Sequence, residues 1–112
     1  MKERCISKEC LKDTGFSYTL SLINGKYKMT VLYILMEFGT VRFNEMKKYI
    51  GTISYKTLSS TLKELEADKL VNRKEYPQIP PKVEYSLTDR GKSLIPILDG
   101  MCEWGDKNRI ND

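Results

Sequence analysis

Histidine is absent from the 112 residues of the sequence. Histidine is the commonest general base, the usual activator of a serine or cysteine nucleophile and the commonest metal ligand. Cysteine is scarce as well, because the three thiols are one short of a four-ligand structural zinc site. The composition therefore disfavours an enzyme, and it predicts no catalytic, cofactor or metal site.

Long apolar runs are also lacking, since none reaches the about 18 residues that indicate a membrane span. The first ten residues, MKERCISKEC, contain no apolar signal core. An odd number of cysteines without a signal favours reduced thiols over a disulfide scaffold. These absences predict a cytoplasmic protein with no membrane partner. The net charge of +4 permits an anionic partner without requiring one.

Apolar spacing and turn residues divide the chain into a flexible arm, residues 1–14, and a single folded domain, residues 15–112. The fold class predicted for the domain is mainly α with a small antiparallel β-hairpin. A central helix, apolar on nearly every side, should be buried. The predicted helices are 15–23, 26–38, 43–50, 54–69 and a last one from residue 88, with a very short strand at 41–42 and strands at 71–76 and 82–87.

The connection between the two longer strands is rich in proline: the segment from Tyr76 to Gly91 reads YPQIPPKVEYSLTDRG. Prolines stiffen the loop and protect the sheet edge. Pro96 lies inside the last predicted helix and should kink it. Two short helices joined by a tight turn and followed by a stiff hairpin predict a winged helix-turn-helix.

The second helix of this pair has a polar face that suits DNA. Lys56, Ser60 and Lys63 lie opposite the apolar stripe, and the start of the helix carries further donors. An ordinary solvated helix face remains the alternative for this helix in isolation. The residues predicted to contact double-stranded DNA are Arg42, Ser54, Tyr55, Lys56, Thr57, Ser59, Ser60, Lys63, Arg73 and Lys82.

The chain resembles the HxlR-type winged helix-turn-helix transcriptional regulators of bacteria. The matching segments are INGKYK (23–28), RFNEMK (42–47), IS…TL…LKELEADKLV (53–71), the proline-rich segment and the pattern L-x-P-x-L…EWG at 94–105. The resemblance implies a homodimer that binds an inverted-repeat operator and pairs through its first and last helices. The predicted dimerisation residues are Phe16, Leu20, Leu94, Leu98, Met101 and Trp104, although packing in the protomer's own core remains open for the last helix.

Two departures from the family pattern bear on regulation. Tyr27 stands where the family usually has tryptophan. Thr14 stands where members often have a cysteine, through which some members sense electrophiles or oxidants, so that role is not carried over. Cys5 and Cys10 lie among basic residues that favour thiolate, which makes them possible redox sites, whereas Cys102 should be a small buried residue. The effector stays unknown. The alternatives from other classes are a winged-helix module that contacts only proteins and, ranked last, a thiol redox enzyme.

Overall fold

The computed structural model describes residues 10–110. The domain is mainly helical with a three-stranded antiparallel sheet, which confirms the predicted winged helix-turn-helix class. After a 3-10 turn at Leu11–Asp13, the elements are α1 Gly15–Ile23, α2 Lys28–Phe38, β1 Val41–Arg42, α3 Phe43–Ile50, α4 Tyr55–Ala67, β2 Val71–Tyr76, β3 Lys82–Leu87, α5 Asp89–Lys92 and α6 Ile95–Asn108.

The core forms where α2 packs against α4 and the sheet. Four apolar residues of α2 are buried, as are Leu58, Leu62 and Leu65 of the α4 stripe. Leu70, directly after α4, is buried below them. This arrangement confirms α2 as the central helix, although Tyr33 of α2 remains partly exposed on its outer side.

The sheet has the order β1-β3-β2, so the predicted two-stranded hairpin gains a third strand. Val41 of β1 lies opposite Tyr85 of β3, and Val71 of β2 lies opposite Leu87. All four side chains are buried, because they alternate onto the face that packs against the helices. The very short β1 is stable as an edge strand because its apolar residue joins this core.

The C-terminal region corrects two predictions. The single kinked helix is instead two helices, and Pro96 lies in the first turn of α6, where a missing backbone N–H costs nothing. Leu98 is only 5% exposed and belongs to the hydrophobic core, so its assignment to the dimer surface is wrong. Leu94, between the two helices, is partly buried and also packs against the core. The apolar side chains of this C-terminal region are therefore divided between the core and the surface.

The structure describes residues 10–14 of the segment before α1. Residues 10–14 form the 3-10 turn, and Thr14 caps α1 by accepting a hydrogen bond from the Ser17 N–H at 3.1 Å. Residues 1–9, which include Cys5, lie outside the described residues, so the boundary of the arm stays a prediction. Cys10 is disulfide-bonded, which corrects the expectation of reduced thiols at that position. Cys102 is free but half-buried, not fully buried.

Candidate nucleic-acid interface

The helix-turn-helix is formed by α3, the turn at residues 51–54, and α4. Gly51 ends α3 with φ of +81°, a conformation that favours glycine. Ile53 in the turn is buried and fastens the turn to the core. Ser54 then caps α4, because its Oγ accepts a hydrogen bond from the Thr57 N–H at 3.1 Å. Contacts on both sides of the turn therefore fix the orientation of α4 relative to the core.

The outward face of α4 carries side chains that were predicted to contact DNA. Lys56, Ser60 and Lys63 are exposed, and within the described part of the chain their side chains make no hydrogen bond or ion pair. Two neighbouring hydroxyl side chains are less accessible to DNA than predicted. The Thr57 hydroxyl accepts a hydrogen bond from Ser54 Oγ at 3.0 Å, and Ser59 is half-buried. The free donors are thus concentrated on the Lys56 side of the helix.

Tyr55, the first residue of α4, is held by α3. Its ring stacks on Phe43 with the centroids 6.0 Å apart, and the Lys47 ammonium lies 4.7 Å from the ring centroid. A cation over an aromatic face is attracted by the ring quadrupole. Sequence spacing gave no signal of this contact, because the residues lie on two helices. The result is that Tyr55 and Lys47 present one surface at the start of α4.

The charge along α4 is uneven. Its first turn contains no acidic residue, while the unpaired N–H groups there carry partial positive charge. Acidic residues occupy the C-terminal half, and Glu64 is paired with Lys28 of α2 across 3.2 Å. The N-terminal end of α4 is consequently the end that attracts a phosphate backbone.

The wing is the β2–β3 hairpin with its tip at residues 77–81, where the Ile79–Pro80 bond is cis. The predicted phosphate contacts here already have partners within the hairpin. Lys82 Nζ lies 3.3 Å from Glu84 Oε2 and 4.7 Å from the centroid of the Tyr76 ring. Arg73 Nη1 lies 3.5 Å from Glu75 Oε2. Interactions with Tyr85, and to a smaller extent with Glu75, favour the charged guanidinium and raise the pKa of Arg73.

Arg42, at the end of β1, lies beside this hairpin. It is exposed and pairs in register with Glu84, while its own N–H donates to Glu45 Oε1 at 3.2 Å and so helps to start α3. Partial burial opposes the charge of Glu84, but hydrogen bonds from Tyr76 and Lys82 and the charges of Lys82 and Arg42 outweigh it and lower the pKa of Glu84. The structure therefore brings Arg42 and Lys82 near one carboxylate, an arrangement that sequence spacing does not reveal.

A second set of exposed side chains is apolar and lies on α1 and α6, outside the helix-turn-helix segment. Phe16 is 70% exposed and Trp104 is 69% exposed, and Leu20 and Met101 are also exposed. These four residues, called here the apolar surface, were all predicted to lie in a dimer interface. Their exposure leaves that assignment as a prediction.

Other kinds of site are absent from the described residues. Among residues 10–110, no group of cysteine, aspartate or glutamate side chains could hold a metal ion. No helix in that range is long and apolar enough to cross a membrane.

A tight turn, a capped donor-bearing helix and a hairpin beside it define a DNA-binding winged helix-turn-helix. The model of the HxlR-like helix-turn-helix family matches residues 22–112. The chain belongs to this family of transcriptional regulators, which confirms the resemblance seen in the sequence and the expectation that the protein is not an enzyme.

Individual relatives agree with this assignment. The chain is 65% identical over 101 residues to the HTH-type transcriptional regulator BH0655 of Halalkalibacterium halodurans, covering 90% of this chain and 89% of that protein. The structure is similar to that of the redox regulator HypR in its oxidized form, with a TM-score of 0.80 and 44% identity, covering 88% of this chain and all of that one. It is also similar to reduced YodB of Bacillus subtilis, with a TM-score of 0.73 and 33% identity over 88% of this chain and 98% of that one.

Proposed function

We propose that this transcriptional regulator binds an inverted-repeat operator as a homodimer, with α4 reading the major groove and the wing contacting phosphates. The observation that carries the proposal is the exposed, unpartnered donor face of α4 at Lys56, Ser60 and Lys63. Such groups can donate to base edges and phosphates once the first turns of the helix enter the groove. A protein that acts on chromosomal DNA in this way works in the cytoplasm of a bacterium.

The homodimer is supported by the apolar surface. Its four large apolar side chains are exposed on two helices, and burying them against a second protomer would remove apolar area from water. Two-fold pairing would present two copies of α4 and match the two halves of an inverted repeat.

A selection from random duplexes, followed by a gel shift, tests the proposed DNA binding. We expect enrichment of a sequence with two-fold symmetry and a complex that contains two protomers. If no duplex is retained at low salt, the alternative of a winged-helix module that contacts only proteins replaces this proposal.

The dimer has its own test in Trp104→Asp, measured by sedimentation. We expect the variant to sediment as a monomer at concentrations where the wild type is a dimer, because a charge replaces a large exposed side chain of the apolar surface. Ile79→Asp is the matched control, since Ile79 is fully exposed at the tip of the wing and the change should leave the mass unaltered. If Trp104→Asp remains a dimer, the interface lies elsewhere.

We also infer that oxidation of Cys5 and Cys10 alters DNA binding. Two observations support this: Cys10 is disulfide-bonded, and the similar protein HypR is a redox regulator. Thr14, at the position where family members often have cysteine, is used instead as the cap of α1.

A further inference from the structure

One carboxylate lies among the cations on the outer face of the wing sheet. The sheet register places Glu84 opposite both Arg42 and Lys74, and it places Tyr76 opposite Lys82. Because side chains alternate between the two faces of a sheet, these five residues share one face. They are called here the wing cluster.

Contacts within the wing cluster hold Lys82 against the sheet. Its Nζ lies 3.3 Å from Glu84 Oε2 and 4.7 Å from the centroid of the Tyr76 ring, while the Lys74 ammonium lies 5.0 Å from the same centroid. The side chains of Lys82 and Glu84 are only 24% and 21% exposed. The lysine is therefore already paired, and it is not extended toward solvent.

A phosphate that reaches Lys82 must compete with this pairing. The phosphate has to replace Glu84 as the partner of the ammonium, and it approaches a fixed negative charge as it does so. Electrostatic attraction supplies essentially all of non-specific DNA binding, so a carboxylate at this point lowers the binding that the cations alone would give.

We propose that Glu84 is a positioning residue that restrains Lys82 and so limits the contact between the wing and DNA phosphates. The proposal rests on the proposed DNA binding and adds a determinant to it. Because the contact between the wing and phosphates is weakened, α4, which reads the sequence, contributes a larger share of the affinity for DNA. The restraint thus favours discrimination between an operator and other DNA.

The test compares Glu84→Gln with wild type on a scrambled duplex across a salt series. We expect affinity to rise about two- to fivefold, the range for one partly exposed ion pair. We expect the salt dependence to steepen by about one unit, as for one added phosphate contact. Glu66→Gln is the matched control, because it removes the same charge from an exposed carboxylate that has no ion pair within the described residues.

The Lys82→Ala background shows whether Glu84 acts through this lysine. There, Glu84→Gln should add no more affinity than Glu66→Gln adds. A gain from Glu84→Gln no larger than that from Glu66→Gln, or a gain that survives in full without Lys82, overturns the proposal.

Acylation of lysines in the free protein gives a readout that needs no DNA. The rate at Lys82, measured by mass spectrometry, should rise in Glu84→Gln while the rate at Lys56 stays constant. An unchanged rate at Lys82 refutes the restraint. If the rate rises but the wild type binds no duplex, the restraint stands and the proposed DNA binding fails.

Discussion

Replacement of Lys56 with alanine tests the proposal that α4 reads the DNA sequence. Lys56 lies in the first turn of the helix, is exposed, and makes no ion pair within the described residues. Its removal therefore leaves no group unpaired, and the free energy of unfolding should change by less than about 0.5 kcal/mol. Any change in DNA binding then reports the contact with DNA itself.

The expected magnitude depends on what Lys56 touches. A good contact to a base edge discriminates by about 1–3 kcal/mol, which corresponds to about 5- to 150-fold in operator affinity per half-site. A contact to phosphate would instead weaken operator and scrambled DNA alike and reduce the salt slope by about one unit. The two roles are thus separated by the ratio of the two affinities and by the slope.

The assay is the affinity of each variant for a selected operator and for a scrambled duplex, measured across a salt series. Lys63→Ala is the matched control, because Lys63 lies seven residues further along the same face, about 10 Å from Lys56 along the helix axis. We expect Lys56→Ala to lose operator preference and Lys63→Ala to retain most of it. Equal losses on both duplexes for Lys56→Ala would show that this lysine anchors the backbone and reads no base.

Two further predictions concern the C-terminal junction and the arm. Gly91→Ala should destabilise the protein by about 1–3 kcal/mol, because the added Cβ would lie 2.1 Å from the Leu70 carbonyl oxygen. At Gly100 an added Cβ meets open space, so the control Gly100→Ala should be neutral or stabilising. Equal melting temperatures for the two variants would contradict this prediction. Replacing both Cys5 and Cys10 with serine should abolish any loss of DNA binding caused by diamide, and an unaltered response in gel shifts would exclude the arm as the sensor.

Local patterns were sufficient to predict most of the elements. The bounds of α1, α3, β2 and β3 agree with the structure, because apolar periodicity and turn residues are local signals. Ser54 and Thr88 are hydroxyl residues directly before a helix, a position that favours capping, and each accepts a hydrogen bond from a backbone N–H of the first turn. The alternation of apolar and polar residues along β3 likewise accounts for the face that carries Val83, Tyr85 and Leu87 toward the core.

Contacts between elements could not be predicted in the same way. The stacking of Tyr55 on Phe43 joins two helices, and the pairing of Glu84 with Arg42 joins two strands that are far apart in sequence. The break in the last helix was missed because Pro96 suits the first turn of a new helix as well as the kink of an old one. Leu98 was assigned to a surface because apolar spacing alone cannot say which of two apolar neighbours a helix will meet.

Thr88 links α4, the wing and the C-terminal helices. Its N–H donates to the Leu70 carbonyl oxygen at 3.1 Å, and its hydroxyl donates to the Lys69 carbonyl oxygen at 2.7 Å. Lys69 itself has a positive φ of 61°, which lets the chain leave α4 and enter β2 within a few residues. The same hydroxyl also caps α5. One hydrogen-bonded junction therefore joins the end of α4, the base of the wing and the start of the C-terminal region. In a dimer paired through α6, the separation of the two reading helices would therefore be set by this junction, and with it the spacing of operator half-sites that the protein accepts.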